Sequence, residues 1–202
     1  MTDKKHWYDG IFYDKIIAPN QDRMFNQIKN MIKPNSNVLD IGCGTGRLSF
    51  QLSDHCNNVI GVDLSSKNIK VANTKKNNQY SNVNFIHADG NILKNIFNDK
   101  FDYAVITYVI HEMPEAERIK FLFEVKDVSN QIIIGDYLAP QRKTFWGLLN
   151  EIVEYLAGKD HYNNFKNFLS NGGIDFLIAE AGLQKIKEIK NKPQTSHIVL
   201  LK

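Results

Sequence analysis

The stretch Val38-Leu39-Asp40-Ile41-Gly42-Cys43-Gly44-Thr45-Gly46 decides how this chain folds. A short apolar run carries an acid, and three glycines follow at alternate positions. Downstream, Asn58-Val59-Ile60-Gly61-Val62-Asp63 is a second apolar run ending in an acid. Two buried strands joined by one glycine-rich turn and one helix make a nucleoside-binding half-site. Glycine lets such a turn take positive φ and lets backbone approach a ligand closely. An acid ending the second strand, roughly 20 residues on, can hold both ribose hydroxyls.

Working outward, strands and helices alternate. Val38–Ile41, Val59–Val62, Val83–His87, Tyr103–Thr107 and Gln131–Gly135 read as buried strands. Arg47–Asp54, Ser66–Gln79 and Glu115–Val128 read as helices, with Ser65 or Ser66 as an N-cap. This alternation predicts a parallel sheet with right-handed crossovers and helices on both faces, an α/β three-layer sandwich. Before it, Gln21–Ile32 places Met24, Ile28, Met31 and Ile32 at helical spacing, and Pro34 breaks the chain. After Asp136 the rhythm changes. Phe145–Leu169 is helical in pattern, and Leu148, Leu149, Ile152, Val153 and Leu156 form an apolar stripe. That stripe reads as core against the sheet, with a lid over the substrate as the alternative. Ile174–Ala181 is a short helix closed by Gly182, and Leu183–Ile189 with His197–Leu201 reads as a terminal hairpin. One domain over 1–202 is expected, with an N-terminal arm and helix at 1–34 and a helical insertion at 137–173.

The 202 residues suffice for one full core, and a net charge of +3 is too small to argue for nucleic acid or an anionic membrane. The two cysteines, without an apolar leader, fit a reducing compartment and a cytoplasmic protein. No apolar run approaches the roughly 20 residues that span a bilayer, so no stable membrane association is expected.

A dinucleotide turn reads G-x-G-x-x-G, its third glycine packing helix on strand. Here the order is G-x-G-x-G, and Arg47 follows. Asp40, just before the turn, would repel a pyrophosphate and suits a ligand bearing an ammonium or sulfonium charge. With no catalytic Tyr-Lys or His-Asp arrangement in view, a nicotinamide-dependent oxidoreductase is the second reading.

These residues resemble the class I S-adenosylmethionine-dependent methyltransferases. Val38–Gly46 is similar to the family's first motif and Gly61-Val62-Asp63-Leu64-Ser65 to its ribose-binding segment. Phe85-Ile86-His87-Ala88-Asp89-Gly90 resembles the adenine-binding segment. Phe101–Thr107 with His111-Glu112-Met113-Pro114 resembles the fourth strand and its exit. The resemblance implies a Rossmann-like seven-stranded sheet of order 3-2-1-4-5-7-6, with strand 7 antiparallel. It implies S-adenosylmethionine as cofactor, S-adenosylhomocysteine as product, and no metal. Asp63 is then expected on the ribose hydroxyls, Asp89 on the adenine amino group with Gly90 near the ring, and Leu64 on the adenine face, followed by Ser65. Asp40, Ile41, Gly42, Cys43, Gly44 and Gly46 belong to the cofactor turn, and Thr107 sits near the transferred methyl. In this family N-terminal residues often close the site, which makes Tyr8, Tyr13 and Arg23 candidates. Each acid has a plainer reading too: Asp63 and Asp89 could cap the helical turns that follow them.

His111, just past the fourth strand, is the candidate general base, or else it orders the loop before Pro114. Asp136 and Tyr137 end the fifth strand on the substrate side, or serve as turn cap and core aromatic. Tyr8, Tyr108, Tyr155, His161 and Tyr162 complete the candidate substrate contacts. The Asn/Asp-Pro-Pro-aromatic motif of base-amine methylases is absent, and Thr107-Tyr108-Val109-Ile110 stands there. The expected acceptor is a small molecule and not nucleic acid. A cofactor-binding protein without catalysis is a third possibility.

Overall fold

The computed structural model describes residues 21–141, 144–192 and 194–202. Seven strands form one sheet in the order β3-β2-β1-β4-β5-β7-β6. They are β1 (Asn37–Ile41), β2 (Asn58–Asp63), β3 (Val83–His87), β4 (Phe101–Thr107), β5 (Ser129–Tyr137), β6 (Lys185–Lys190) and β7 (Ser196–Leu201). The first five are parallel, and β7 runs antiparallel to both β5 and β6. The sheet order implied by the resemblance is the observed one.

Alternation along each strand sends neighbouring side chains to opposite faces and so builds two cores. On one face Val38, Val59, Tyr103, Val105, Ile133 and Ile198 pack against Met24, Phe25 and Ile28 of α1 (Asp22–Lys29) and Leu48 and Leu52 of α2 (Arg47–Leu52). On the other, Leu39, Ile41, Ala104, Ile106, Ile132 and Ile134 meet α4 (Glu115–Val128), α6 (Lys159–Ser170) and α7 (Gly173–Glu180). Between β2 and β3 runs α3 (Ser66–Lys75), capped by Ser65, whose hydroxyl accepts from the Asn68 N–H. Arg47 is the residue that broke the dinucleotide pattern. Its Nε and Nη2 each donate to Asp22 at 2.7 Å, tying α2 to α1. The same contact holds the Asp22 carboxyl below its usual range. Arg118 is buried in α4. It donates to the Met113 carbonyl, the Asn167 amide oxygen and the Asn164 carbonyl, which pins α6 to the segment leaving β4.

The segment 145–169 departs from expectation. Gly158, at φ +128°, divides it into α5 (Phe145–Ala157) and α6. Phe165 and Phe168 of α6 are buried, whereas the α5 stripe faces solvent: Leu148 is 57% exposed and Leu156 60%. Ile152 and Val153 are exposed as well, so this stripe is not core. The inward face of α5 is held by Gly147 and the carboxylate of Glu154. Periodicity identified a stripe; the polar anchor decided which side of the helix it occupies. Among the described residues no helix is long and apolar enough to cross a membrane.

Candidate active site

The carboxyl ends of β3, β2, β1 and β4 open onto a cleft of about 1030 Å³, its solvent-filled mouth included. β1 gives rise to a helix toward β2 on one side, while the chain returns to β4 on the other. Between them is the switch point where open α/β sheets bind ligands. The floor is Ile41, Gly42 and Gly44; Asp63, Leu64, Ser65 and Asn68 form one wall, Asp89, Gly90 and Asn91 the next. Thr107, Tyr108, Val109 and Glu112 close the β4 side, with Glu117 and Phe121 of α4 above.

The glycine turn is locked by backbone. Gly42 and Cys43 N–H groups both donate to the Val62 carbonyl, and Gly46 N–H returns to the Cys43 carbonyl at 2.9 Å. Asp63 fixes the turn to its own strand end. Its Oδ2 accepts from Gly44 N–H at 2.8 Å and its Oδ1 from Ser65 N–H at 2.8 Å. Asp89 both lines the cleft and accepts from Asn91 N–H at 2.9 Å, so it caps the following 3-10 turn as well. Tyr108 leaves β4 at φ +54°, uncommon for a side chain of its size, with its N–H held by the Gly135 carbonyl. Burial pushes the Tyr108 phenol up to about 12, so it stands at the cleft wall as a hydroxyl.

Ten sequence-predicted residues therefore meet in one cleft: Ile41, Gly42, Gly44, Asp63, Leu64, Ser65, Asp89, Gly90, Thr107 and Tyr108. Three of the turn residues do not line it. Cys43 directs its sulfur toward Gly61, where an added Cβ would lie 2.9 Å from it. Burial, reinforced by Asp40 and Asp63, keeps that thiol well above its ordinary range. Gly46 packs under the Phe85 ring. Asp40 is fully buried below the turn, accepting the Ser49 hydroxyl at 2.6 Å. Arg23 is exposed on α1, and Tyr8 and Tyr13 lie outside the described residues.

Asp40 carries a pH signature. Burial lifts its pKa from 3.8 to about 7, opposed by the Ser49 hydrogen bond and assisted by the Asp63 charge. Between those pH values the folded chain keeps a proton that the unfolded chain has lost. Stability attributable to Asp40 therefore falls as pH rises from about 4 to 7 and is flat above. Asp40→Asn removes this slope. Its melting temperature relative to the parent should rise by about 5–11 °C between pH 5 and pH 8, at 1.36 kcal/mol per unit and 2–4 °C per kcal/mol. Parallel melting curves for the two proteins across that range would overturn the assignment.

Behind the Tyr108–Glu112 wall lies a second, buried polar cluster. His111 does not reach the cleft: it is 2% exposed, and its Nδ1 pairs with Asp136 Oδ1 at 2.7 Å. Its backbone N–H points to Asp136 Oδ2 at 3.3 Å, so the loop-ordering role is the one its contacts serve. His161 Nε2 lies 2.5 Å from Glu154 Oε2, His111 Nε2 lies 3.5 Å from the same oxygen, and Tyr137 donates its hydroxyl to Glu154 Oε1 at 2.6 Å. Burial disfavours charge on His111, but Asp136 and Glu154 outweigh it and raise the imidazole well above its usual range. The expected substrate contacts Asp136 and His161 thus belong to this cluster and not to the cleft lining. Tyr162 is half-buried, and Tyr155, 66% exposed on α5, stacks edge-on against it. Sequence reasoning missed Asn68, Asn91, Glu117, Phe121 and Glu154. Glu154 shares its largely apolar run with Asn150 and Glu151, so nothing in the sequence singles it out.

Residues 38–131 match the family model described as "Methyltransferase domain". A probable S-adenosylmethionine-dependent methyltransferase of Saccharomyces cerevisiae is 23% identical over 163 residues, covering 79% of this chain and 56% of that protein. An uncharacterized RNA methyltransferase of Mycoplasma mobile is 36% identical over 86 residues, 41% of this chain and 23% of its own length. The chain thus spans about half or less of these curated relatives. Among solved structures, the magnesium protoporphyrin IX methyltransferase of Synechocystis, with bound S-adenosylhomocysteine, superposes with TM-score 0.66 at 20% identity. That match covers 96% of this chain and 88% of the other, and at such identity it shows a shared fold.

Proposed function

We propose that the chain is a class I S-adenosylmethionine-dependent methyltransferase that moves a methyl group to a small organic acceptor, a reading supported by the methyltransferase-domain match over residues 38–131 and by the sheet order. The observation that carries the reading is Asp63 at the cleft wall, its carboxylate bonded to the Gly44 N–H of the glycine turn. One carboxylate thereby holds the turn and faces the space where a nucleoside ribose belongs. The residues fit the cofactor: a glycine floor with backbone exposed, two acids at successive strand ends, and Leu64 as an apolar plate between them.

The bound cofactor supplies a methyl on a sulfonium, already activated for in-line displacement. What remains for the chain is alignment and exclusion of water, which together can supply roughly 7–11 kcal/mol. Asp63 orients the ribose, Asp89 and Gly90 the adenine, and Thr107 the methyl end, where Tyr108 and Glu112 form the wall an acceptor meets. His111 is given no proton-transfer role, because it lies behind that wall. A small acceptor is favoured by the modest net charge and by the absence of the Pro-Pro-aromatic motif after β4.

Calorimetry with S-adenosylmethionine, S-adenosylhomocysteine and NAD separates the readings. The first two should bind with one site per chain and NAD should not; the reverse pattern sinks the proposal. Label from methyl-tritiated cofactor should enter a panel of small phenols, carboxylic acids and amines. Label in total RNA alone would move the acceptor to nucleic acid. Binding without transfer to any acceptor would identify a non-catalytic binder.

A further inference from the structure

We propose that His111, Glu154 and His161 form a binding site for one divalent cation of the borderline class, zinc first among them, behind the acceptor wall of the cleft. The three residues come from the exit of β4, from α5 and from α6, and each can offer one ligand atom within 4.8 Å of the others. All are nine-tenths buried or more, with side-chain exposures of 2%, 6% and 7%.

Three observations separate this cluster from an ordinary buried ion pair. First, Glu154 Oε2 receives no hydrogen bond of acceptable geometry, although the two imidazole Nε2 atoms flank it at 2.5 and 3.5 Å. Two ring nitrogens thus converge on one carboxylate oxygen. Second, the outer contacts are those that prepare ligands. His111 Nδ1 is taken by Asp136 at 2.7 Å, which directs the Nε2 lone pair inward, and Tyr137 occupies Glu154 Oε1, which leaves Oε2 as the inward atom. Third, Asp136 and Glu154 place two carboxylates in the interior, and from outside the cluster the Arg118 guanidinium interacts electrostatically with Asp136. A proton on an imidazole offsets one of these charges. A divalent cation offsets both.

The donor set selects the metal. Two imidazoles and one carboxylate suit zinc, iron(II) or cobalt(II), whereas magnesium and calcium take oxygen cages. At bond lengths of about 2.1 Å a tetrahedral ion holds its ligands roughly 3.4 Å apart, so the observed spread of 2.5 to 4.8 Å needs only side-chain adjustment. Three protein ligands leave a coordination position. Glu112 Oε1, 3.8 Å from His161 Nε2, belongs to a residue that also lines the cleft. Glu112 thus connects the cluster to the cleft wall. The site stands on its own residues and not on the methyl-transfer reading, and it departs from the metal-free expectation of the sequence.

The test reads metal and not turnover. The full chain, stripped with chelator and dialysed, is titrated with zinc chloride by calorimetry and with cobalt(II) in the visible range. One zinc per chain is expected, together with a cobalt absorption band that zinc abolishes. His161→Gln and Glu154→Gln should each weaken zinc binding at least tenfold. No saturable heat and no cobalt band from the parent chain would overturn the site and leave a protonated His111 as the balancing charge. Zinc affinity unchanged in a folded His161→Gln protein would do so too. If either variant fails to fold, the cobalt band of the parent chain and its displacement by zinc still decide.

Discussion

Replacing Asp63 with alanine should raise the dissociation constant for S-adenosylhomocysteine by at least a hundredfold, measured by calorimetry on the folded variant. Two losses combine. The ribose would lose its carboxylate, and a hydrogen bond to a charged acceptor is worth about 1.5–3 kcal/mol. The Gly44 N–H would lose its acceptor at 2.8 Å, and the Ser65 N–H its own, so the turn and the start of α3 would both loosen. An extra binding cost for re-ordering the turn follows. Asp63→Asn separates the two losses. It keeps one acceptor oxygen for Gly44 or Ser65 but presents no charge, so its affinity should fall between parent and alanine. Equal affinity of parent and Asp63→Ala would mean that the nucleoside lies elsewhere than the β1–β2 strand ends.

How much of this was legible in the chain follows from what sets each feature. The inner parallel strands were readable because their apolar runs are fixed by burial on both faces: β1 and β4 end at Ile41 and Thr107, where expected. The cleft acids were readable because a strand end followed by a turn determines where the side chain emerges. The inward face of α5 was not. A period of 3.6 marks a stripe but carries no information about which stripe meets the protein, and here the apolar one points out while Glu154 points in. Glu154 is chosen by contacts with His161, Tyr137 and His111, residues scattered along the chain that meet only after the sheet and α6 have assembled. The same distance in sequence hid the role of His111. Its place after β4 suggested the cleft, but Asp136 on the neighbouring β5 draws it to the far side of Tyr108.

The three glycines of the opening turn are also less alike than their spacing implies, and Gly46→Ala should expose the difference. Gly46 precedes α2 at φ +82°, a left-handed conformation that costs a side chain roughly 1–3 kcal/mol. An added Cβ would stand 2.4 Å from Phe85 Cζ. That ring has little room to retreat, because it stacks edge-on against Phe50 with centroids 5.2 Å apart, and Phe50 in turn meets Tyr80. Overpacking of this kind costs about 1–3 kcal/mol more, so the variant should be destabilised by about 2–6 kcal/mol in denaturant melts. Gly46 does not line the cleft, whereas Gly42 and Gly44 do. Under conditions where Gly46→Ala remains folded, its affinity for S-adenosylhomocysteine should therefore stay within about threefold of the parent. A variant of normal stability would show that Phe85 yields freely. A stable variant that had lost cofactor would show instead that Gly46 touches the ligand, and the division of the turn into two ligand-facing glycines and one packing glycine would fail.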